Sequence, residues 1–147
     1  MSLEGSVIRE GRTEIFVPEV HSTHGPGKKV GPVFFNEQMS FNRDVSVMLL
    51  RALGRESITV GDAMAATGSR SVRIANEVPG SEVVANDISE AAMPWIERNI
   101  ELNHLDNCVA SNKDMHILFS ERSFNYVDLD PFGSPMPFLQ SAIRGVG

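Results

Sequence analysis

From Ser57 onward, short apolar stretches alternate with stretches of helical periodicity. The apolar stretches are SITVGDA, SEVVANDI, NCVASN and FNYVDLD, and the helical ones include SRSVRIANEV and EAAMPWIERNIELN. Such alternation is typical of β-α-β units, in which successive strands run parallel and helices cover the sheet. The sequence therefore predicts an α/β fold built on an open parallel sheet of four strands.

A different pattern precedes this region. VIREGRTEIFVP alternates around Glu10-Gly11 as a β-hairpin would, and HSTHGPGKK is typical of a loop. NRDVSVMLLRALG then predicts an amphipathic helix from about Asp44 that ends at Gly54. We expect a small N-terminal extension over residues 1–42 and a sheet domain over residues 43–147.

The strand pattern stops after its fourth repeat, where MPFLQSAIRGVG begins a helix. An open sheet of four strands leaves an unpaired edge, and such edges are usually covered or paired. We therefore expect an incomplete domain, truncated after its fourth strand, whose open edge could self-associate with a second copy.

Composition excludes several classes of protein. The chain has 147 residues, 41% hydrophobic and 22% charged, with no apolar run long enough to span a bilayer and no apolar leader in MSLEGSVIRE. One cysteine, Cys108, and four scattered histidines offer no intramolecular disulfide and no recognised zinc spacing. We expect a cytoplasmic protein of about one domain, with no membrane partner and no metal.

The negative charge is concentrated in the sheet region. The chain carries a net charge of -6, and residues 57–147 hold 12 acidic against 6 basic side chains. A self-sufficient nucleic-acid binder presents a basic surface instead. Any polyanion handled by this chain must therefore be gripped locally or by another region.

Polar residues follow each predicted strand. The segments are GDAMAATGSR, NDIS, NKDMH and DPFG, which place four acids at strand ends: Asp62, Asp87, Asp114 and Asp130. Ligands of open α/β sheets bind outside the carboxyl ends of the strands. The four carboxylates are therefore expected on one rim, facing a ligand.

The first two segments favour an adenosine ligand without phosphates. Asp87 lies about 20 residues beyond Gly68, where an acid can accept hydrogen bonds from ribose hydroxyls. The alternative is that Asp87 or Ser89 caps a helix. DAMAATGSR has one glycine where a dinucleotide loop has three, and Asp62 would attract a cation. S-adenosylmethionine fits, with adenosine near Asp87 and Asp114 and the sulfonium near Asp62.

Two arginines are candidates for the carboxylate of that ligand. Arg70 begins the helix after the glycine turn, where its planar fork could pair with a carboxylate. Arg43, in FNRD, could serve the same end from the other side. The alternative for each is a solvated arginine.

DPFG suits a site that methylates an amine on a base. Proline fixes its own backbone and restricts the residue before it, so Asp130 and the Pro131 carbonyl become two fixed acceptors for an exocyclic amine. The Phe132 ring could stack on the base that carries the amine. Asp130 would orient the amine and accept a proton. The alternative is a tight turn without a chemical role.

These motifs together are familiar. FNRDVSV, DAMAATGSRSVR, NDIS, NKD and DLDPFGSP resemble the catalytic half of archaeal and eukaryotic tRNA (guanine-26-N2) dimethyltransferases, from about Val7 onward. The resemblance implies a class I, Rossmann-like S-adenosylmethionine-dependent methyltransferase that modifies the N2 amine of a guanine in tRNA. It implies that Asp130 is the catalytic acid, with Pro131 and Phe132 beside it. The cofactor contacts that we expect are Arg43, Asp62, Gly68, Arg70, Asp87, Ile88, Asp114 and Met115, the last through its backbone.

The chain departs from this family in two respects. Glu37 stands where the family has proline, and the family continues into a C-terminal region that engages tRNA, so tRNA would be bound mainly outside this chain. Two alternatives stay open: an amino-methyltransferase acting on DNA or another RNA, and a non-catalytic module that binds an adenosine ligand. Phe132 directly after Pro131 weighs against the first, whose turn would have two prolines.

Overall fold

The computed structural model describes residues 2–23 and 31–147. The N-terminal hairpin is present as predicted: β1 (Gly5–Glu10) pairs antiparallel with β2 (Thr13–Pro18). Gly11 adopts a φ of 56° in the turn, a left-handed conformation that glycine accepts readily. Most of the predicted HSTHGPGKK loop lies outside the described residues.

A parallel sheet of four strands forms the centre of the fold. Its strands are β3 (Ile58–Asp62), β4 (Ser81–Asn86), β5 (Cys108–Ser111) and β6 (Tyr126–Asp128). Their order is β5-β4-β3-β6, so the chain builds outward from β3 in one direction and then returns to its other side. This reversal creates a topological switch point between the neighbouring strands β3 and β6, where ligands of such sheets bind.

Five helices accompany the strands in the described part of the chain. They are α1 (Ser40–Ala52), α2 (Ser69–Glu77), α3 (Met93–Leu102), α4 (Met115–Glu121) and α5 (Met136–Arg144). Helix α1 begins before the predicted Asp44, because a 3-10 turn at Glu37–Met39, capped by the Asn36 side chain, leads directly into it. The predicted domain boundary after residue 42 thus falls within α1. None of these helices is long and apolar enough to cross a membrane.

Two apolar cores lie on opposite faces of the sheet. Alternate residues of β4 belong to different cores. Val83 and Ala85 pack with α1, α2 and α3, and Val84 packs with α4 and α5. On the second face, Phe124 lies against Gly61 so closely that a Cβ on Gly61 would come 2.8 Å from the ring. A glycine in β3 therefore permits the close approach of an aromatic ring to the sheet.

The N-terminal hairpin packs onto the sheet domain, where asparagine side chains of α3 bind the backbone of β2 as a neighbouring strand would. Asn99 of α3 accepts a hydrogen bond from the Phe16 amide (2.6 Å) and donates one to the Phe16 carbonyl (3.0 Å). One helical turn later, Asn103 makes the equivalent pair of bonds with Glu14 (3.1 and 2.7 Å). These two amides satisfy backbone groups on an edge of β2 that would otherwise lack partners.

Replacing Asn99 by alanine should destabilise the fold by about 2–4 kcal/mol. Asn99 is fully buried and also donates to the Thr67 carbonyl (2.9 Å), so alanine leaves three backbone groups without their partner. Urea denaturation measures the loss. Asn103→Ala is the matched control, because it removes a similar pair of bonds at a position open to water and should cost under about 1 kcal/mol. Equal losses in the two variants would contradict this account.

Candidate functional site

A cavity of about 730 Å³ lies at the carboxyl ends of the strands, by the topological switch point. Its walls come from the turn after β3, the ends of β4 and β5, the segment after β6 and residues 32–36 of the N-terminal region. The predicted site residues that line it are Arg43, Asp62, Arg70, Asp87, Ile88, Asp114, Met115, Asp130, Pro131 and Phe132. The structure therefore brings together residues that are up to 89 positions apart; the ligand role of each stays a prediction.

Gly68 is the one predicted site residue that does not line the cavity. It adopts a φ of 75° at the start of α2, and a Cβ there would meet Ile96 at 3.3 Å. Ala66, two residues earlier, also has a positive φ, 52°, which costs a non-glycine residue about 1 kcal/mol or more. Gly68 thus shapes the turn between β3 and α2, and its φ and close packing both favour glycine.

Asp87 holds that turn in place. Its Oδ2 accepts a hydrogen bond from the Ala66 amide and its Oδ1 accepts one from the Ser89 amide, both at 2.9 Å. Asp87 thus satisfies two backbone amides, as the alternative required, but it caps no helix, and the Ser89 side chain makes no capping bond to the 3-10 turn Glu90–Ala92. Each carboxylate oxygen has a second lone pair, so Asp87 can still accept ligand hydroxyls.

Asp114 is placed similarly at the end of β5. It is the N-cap of α4, with its Oδ1 accepting a hydrogen bond from the His116 amide at 2.7 Å. Met115 follows as a buried residue at the first position of α4, and Ile88, after β4, is a largely exposed residue of the cavity lining. Asp114 and Asp87 thus present carboxylates from neighbouring strands to one cavity.

Arg70 contacts three polar side chains around the site. Its Nη1 donates to the Ser46 Oγ (2.7 Å), its Nε pairs with Asp128 Oδ1 (3.3 Å) and its Nη2 donates to Asp130 Oδ2 (3.2 Å). Arg70 is therefore not solvated; its partners are protein groups on three elements. Guanidinium has five N–H donors, so one on each Nη atom remains for a ligand carboxylate.

Arg43 lines the cavity but is engaged by the N-terminal hairpin. Its Nε and Nη2 pair with the Glu10 carboxylate at 2.8 and 2.5 Å, and Nη2 also donates to the Asn36 carbonyl at 3.2 Å. Both side chains of the pair are buried, and removing one partner would leave an uncompensated charge. A direct contact of Arg43 with a cofactor stays a prediction; the observed contacts fix residues 32–36 over the cavity.

Two buried carboxyl groups, Asp62 and Asp128, lie in register on neighbouring strands and both line the cavity. Burial and the charge of Asp128 raise the pKa of Asp62 to about 7, against a hydrogen bond from Ser71 (2.7 Å) that favours the charged form. Burial likewise raises the pKa of Asp128, while Arg70 acts in the opposite direction. The charged form of Asp62 is therefore disfavoured, and its attraction for a cation is weaker than its sequence position suggested.

The raised pKa of Asp62 should make the ligand-free fold less stable as pH rises. Its ordinary value is 3.8, so its contribution to the free energy of unfolding is complete below that pH and is lost as the pH approaches about 7. Asp128 acts in the same direction. Urea denaturation at about pH 5 and about pH 8 should show a smaller pH dependence in Asp62→Asn than in the parent chain. An unchanged pH dependence would contradict the assignment; the exposed Glu82→Gln is the control.

The DPFG turn stands at the mouth of the cavity. Asp130 has 46% of its side chain exposed, and Arg70 is its only side-chain partner among the described residues. Phe132 is 65% exposed, and the Phe34 ring packs edge-on against it with centroids 4.8 Å apart. A carboxylate, a proline carbonyl and two aromatic rings thus meet at an opening that a planar ligand can reach.

Three contributors to the site were missed by the sequence prediction: Ser46, Asp128 and Phe34. Ser46 and Asp128 hold Arg70, and Phe34 packs on Phe132. A signal existed for Asp128, because the sequence places it two residues before Asp130. Side chains two positions apart in an extended chain point to the same side. Ser46 and Phe34 depend on contacts between distant segments, for which the sequence offers no local signal.

Comparison with known proteins identifies the family. A model of N2,N2-dimethylguanosine tRNA methyltransferases matches residues 11–147. The tRNA (guanine(26)-N(2))-dimethyltransferase of Pyrococcus horikoshii is 37% identical over 161 aligned residues, covering 98% of this chain and 40% of the relative. Its counterpart from Methanoculleus marisnigri is 43% identical over 142 residues, covering 95% and 37%.

Solved structures agree with this result. The complex of Trm1 from Pyrococcus horikoshii with S-adenosyl-L-methionine superposes with a TM-score of 0.77 at 36% identity, over 96% of this chain and 40% of that one. TYW2 of M. jannaschii in complex with AdoMet gives 0.78 at 15% identity, which supports the fold alone. The predicted methyltransferase fold is confirmed, and the chain spans about 40% of the length of these relatives from Pyrococcus. The chain belongs to the N2,N2-dimethylguanosine tRNA methyltransferase family.

Proposed function

We propose that this chain is the catalytic part of an enzyme that transfers methyl groups from S-adenosylmethionine to the N2 amine of a guanine in tRNA. The observation that carries the proposal is one cavity that joins the carboxylates of Asp87 and Asp114 to the DPFG turn. An adenosine-recognising wall and an amine-recognising turn are the two halves that such a transfer needs. Family membership supports the same assignment.

The residues of the cavity fit S-adenosylmethionine. A volume of about 730 Å³ is within the range of sites for small ligands, and alanines at 63, 65 and 66 leave room beside the β3 turn. Asp87 and Asp114 can accept hydrogen bonds from ribose and adenine, and Arg70 has spare donors for a carboxylate. When bound, S-adenosylmethionine supplies an electrophilic methyl group on sulfur.

The acceptor side follows from the DPFG turn. The lone pair of a guanine N2 amine is delocalised into the ring, so the amine is a poor nucleophile until acceptors orient its N–H bonds. Asp130 has an oxygen not used by Arg70, and the Pro131 carbonyl lies next to it on a backbone fixed by the proline ring. Asp130 would accept the proton lost by the amine, and the exposed Phe132 face would stack on the base.

The tRNA itself would be held mainly by regions outside this chain. Residues 57–147 carry twice as many acidic as basic side chains, 12 against 6, which cannot supply the phosphate contacts that dominate nucleic-acid affinity. The relatives extend well beyond the matched 40% of their length. We place tRNA binding mainly in that part and the reaction in the cytoplasm.

The proposal is tested by comparing nucleic-acid substrates. The complete protein that carries this chain is incubated with methyl-labelled S-adenosylmethionine and either tRNA, an unrelated structured RNA or duplex DNA. We expect label in tRNA alone. Equal labelling of DNA or of the other RNA would favour an amino-methyltransferase of different substrate class. Binding of S-adenosylhomocysteine without any transfer would favour a non-catalytic module.

A further inference from the structure

The guanidinium of Arg70 connects three parts of the site. It reaches Ser46 on α1, Asp128 at the end of β6, and Asp130 in the DPFG turn, at distances of 2.7, 3.3 and 3.2 Å. The Arg70 side chain is 10% exposed. A planar group held at three of its edges is fixed in both position and tilt, so whatever it contacts is fixed as well.

Asp128 differs from Asp130 in its surroundings. Its side chain is 11% exposed, against 46% for Asp130. Asp128 Oδ1 faces Arg70 Nε, and its Oδ2 accepts a hydrogen bond from the Tyr126 hydroxyl at 3.4 Å. The Asp128 carboxylate is therefore oriented toward protein groups, while Asp130 is oriented toward the opening of the cavity.

The two carboxylates reach Arg70 from one short segment. Asp128 is the last residue of β6 and Asp130 lies two residues beyond it, while Leu129 between them packs against the apolar core of α4 and α5. Asp130 has no other side-chain partner among the described residues. An exposed carboxylate without such a partner samples several rotamers, so Arg70 is what gives Asp130 a single orientation.

We propose that Asp128 is a positioning residue: it holds Arg70, and Arg70 in turn fixes the Asp130 carboxylate for methyl transfer. The inference rests on the proposed function, in which Asp130 orients the amine. Asp128 acts through Arg70 and does not itself exchange a proton with the acceptor. Ser46 is the second support of Arg70, from the opposite edge of the guanidinium.

Asp128→Asn in the complete protein is the primary test. Asparagine keeps the shape of the side chain but removes the charge that holds the Arg70 Nε. We expect kcat for tRNA methylation to fall roughly 10- to 100-fold, as for a misplaced catalytic group. The Kd for S-adenosylhomocysteine, measured by isothermal titration, should rise by a smaller factor than kcat falls, because the wall formed by Asp87 and Asp114 is untouched and only the Arg70 contact to the ligand carboxylate is disturbed. This split between kcat and cofactor affinity is what a general structural defect would not produce.

Glu77→Gln is the matched control. Glu77 is a buried carboxylate on α2 that pairs with Arg73 at 3.0 Å, so its loss also breaks a buried ion pair, away from the cavity. We expect Glu77→Gln to lower the melting temperature and to change kcat less than about 3-fold, because Glu77 is joined to the cavity wall only through Arg73, Glu10 and Arg43. In a double-mutant cycle, Asp128→Asn should add little to Arg70→Lys but should be additive with Glu77→Gln.

Unchanged kcat in Asp128→Asn, or an equal loss in Glu77→Gln, would overturn the proposal. If the parent protein methylates no tRNA, the proposed function fails, and crystal structures of the parent and of Asp128→Asn decide the positioning claim by themselves. The claim predicts that the Arg70 Nη2 to Asp130 Oδ2 contact, 3.2 Å here, is lost in the variant. A contact that persists at that distance would overturn it.

Discussion

Replacing Asp130 by asparagine is expected to lower the rate of methyl transfer by about 10²- to 10⁴-fold. Asparagine retains an acceptor but cannot take up the proton that the amine loses. The affinity for S-adenosylhomocysteine should be unchanged, because Asp130 lies in the DPFG turn at the mouth of the cavity and not at the wall formed by Asp87 and Asp114. Single-turnover methylation of tRNA and isothermal titration measure the two quantities separately.

Asp106→Asn is the control for this result. Asp106 is exposed and outside the cavity, so its variant removes the same charge without touching the site. We expect parent-like rates. A fully active Asp130→Asn would mean that the carboxylate does not accept the proton, and the DPFG turn would then have a shaping role alone.

Replacing Asp87 by alanine is expected to weaken S-adenosylhomocysteine binding by about 100-fold or more. The carboxylate would lose its predicted bonds to ribose, and hydrogen bonds to a charged group contribute about 1.5–3 kcal/mol each. It would also release the Ala66 amide, whose residue has a positive φ of 52°, and so loosen the cofactor turn. Isothermal titration measures the affinity, and circular dichroism establishes that the variant is folded.

Asp106→Ala provides the matched carboxylate deletion for Asp87→Ala. It should bind S-adenosylhomocysteine as the parent does, since it lies outside the cavity. A folded Asp87→Ala protein with unchanged affinity would show that Asp87 only caps the backbone at Ala66 and Ser89. The adenosine assignment would then have to rest on Asp114.

The sheet was predictable because its signals are local. Each strand is a short apolar run, each crossover has helical periodicity, and parallel pairing follows from their alternation. The predicted start of α1, about Asp44, was several residues too late. The helix is preceded by a 3-10 turn that Asn36 caps, and the residue pattern does not distinguish that turn from a loop. The positions of the strand-end residues around one cavity were predictable, since the carboxyl ends of parallel strands meet at one edge of the sheet.

The connections between these residues were not predictable from sequence. Arg70 was assigned to a ligand carboxylate, yet in the structure its partners are Ser46, Asp128 and Asp130. Arg43 pairs with Glu10, which lies 33 positions away in the hairpin. An arginine fork fits any carboxylate at the right distance, so its partner is decided by the packing of distant elements and not by the motif around it.

The N-terminal hairpin also has a closer relation to the site than its sequence suggested. An ion network across the hairpin, α1 and α2 joins four buried side chains, Glu10, Arg43, Arg73 and Glu77, to the half-exposed Asp44. Through Arg43 this network reaches the Asn36 carbonyl and the segment that carries Phe34. The hairpin therefore contributes to the wall that faces Phe132, and it packs on the sheet domain in one continuous structure.

The most direct test of the proposed function is the identity of the methylated nucleoside. tRNA lacking the modification is incubated with the complete protein and S-adenosylmethionine, digested to nucleosides and analysed by mass spectrometry against authentic standards. We predict N2-methylguanosine or N2,N2-dimethylguanosine with the parent protein and neither with Asp130→Asn at the same enzyme concentration. A methyl group on another atom of guanine, or on another base, would contradict the account of how the DPFG turn selects its acceptor.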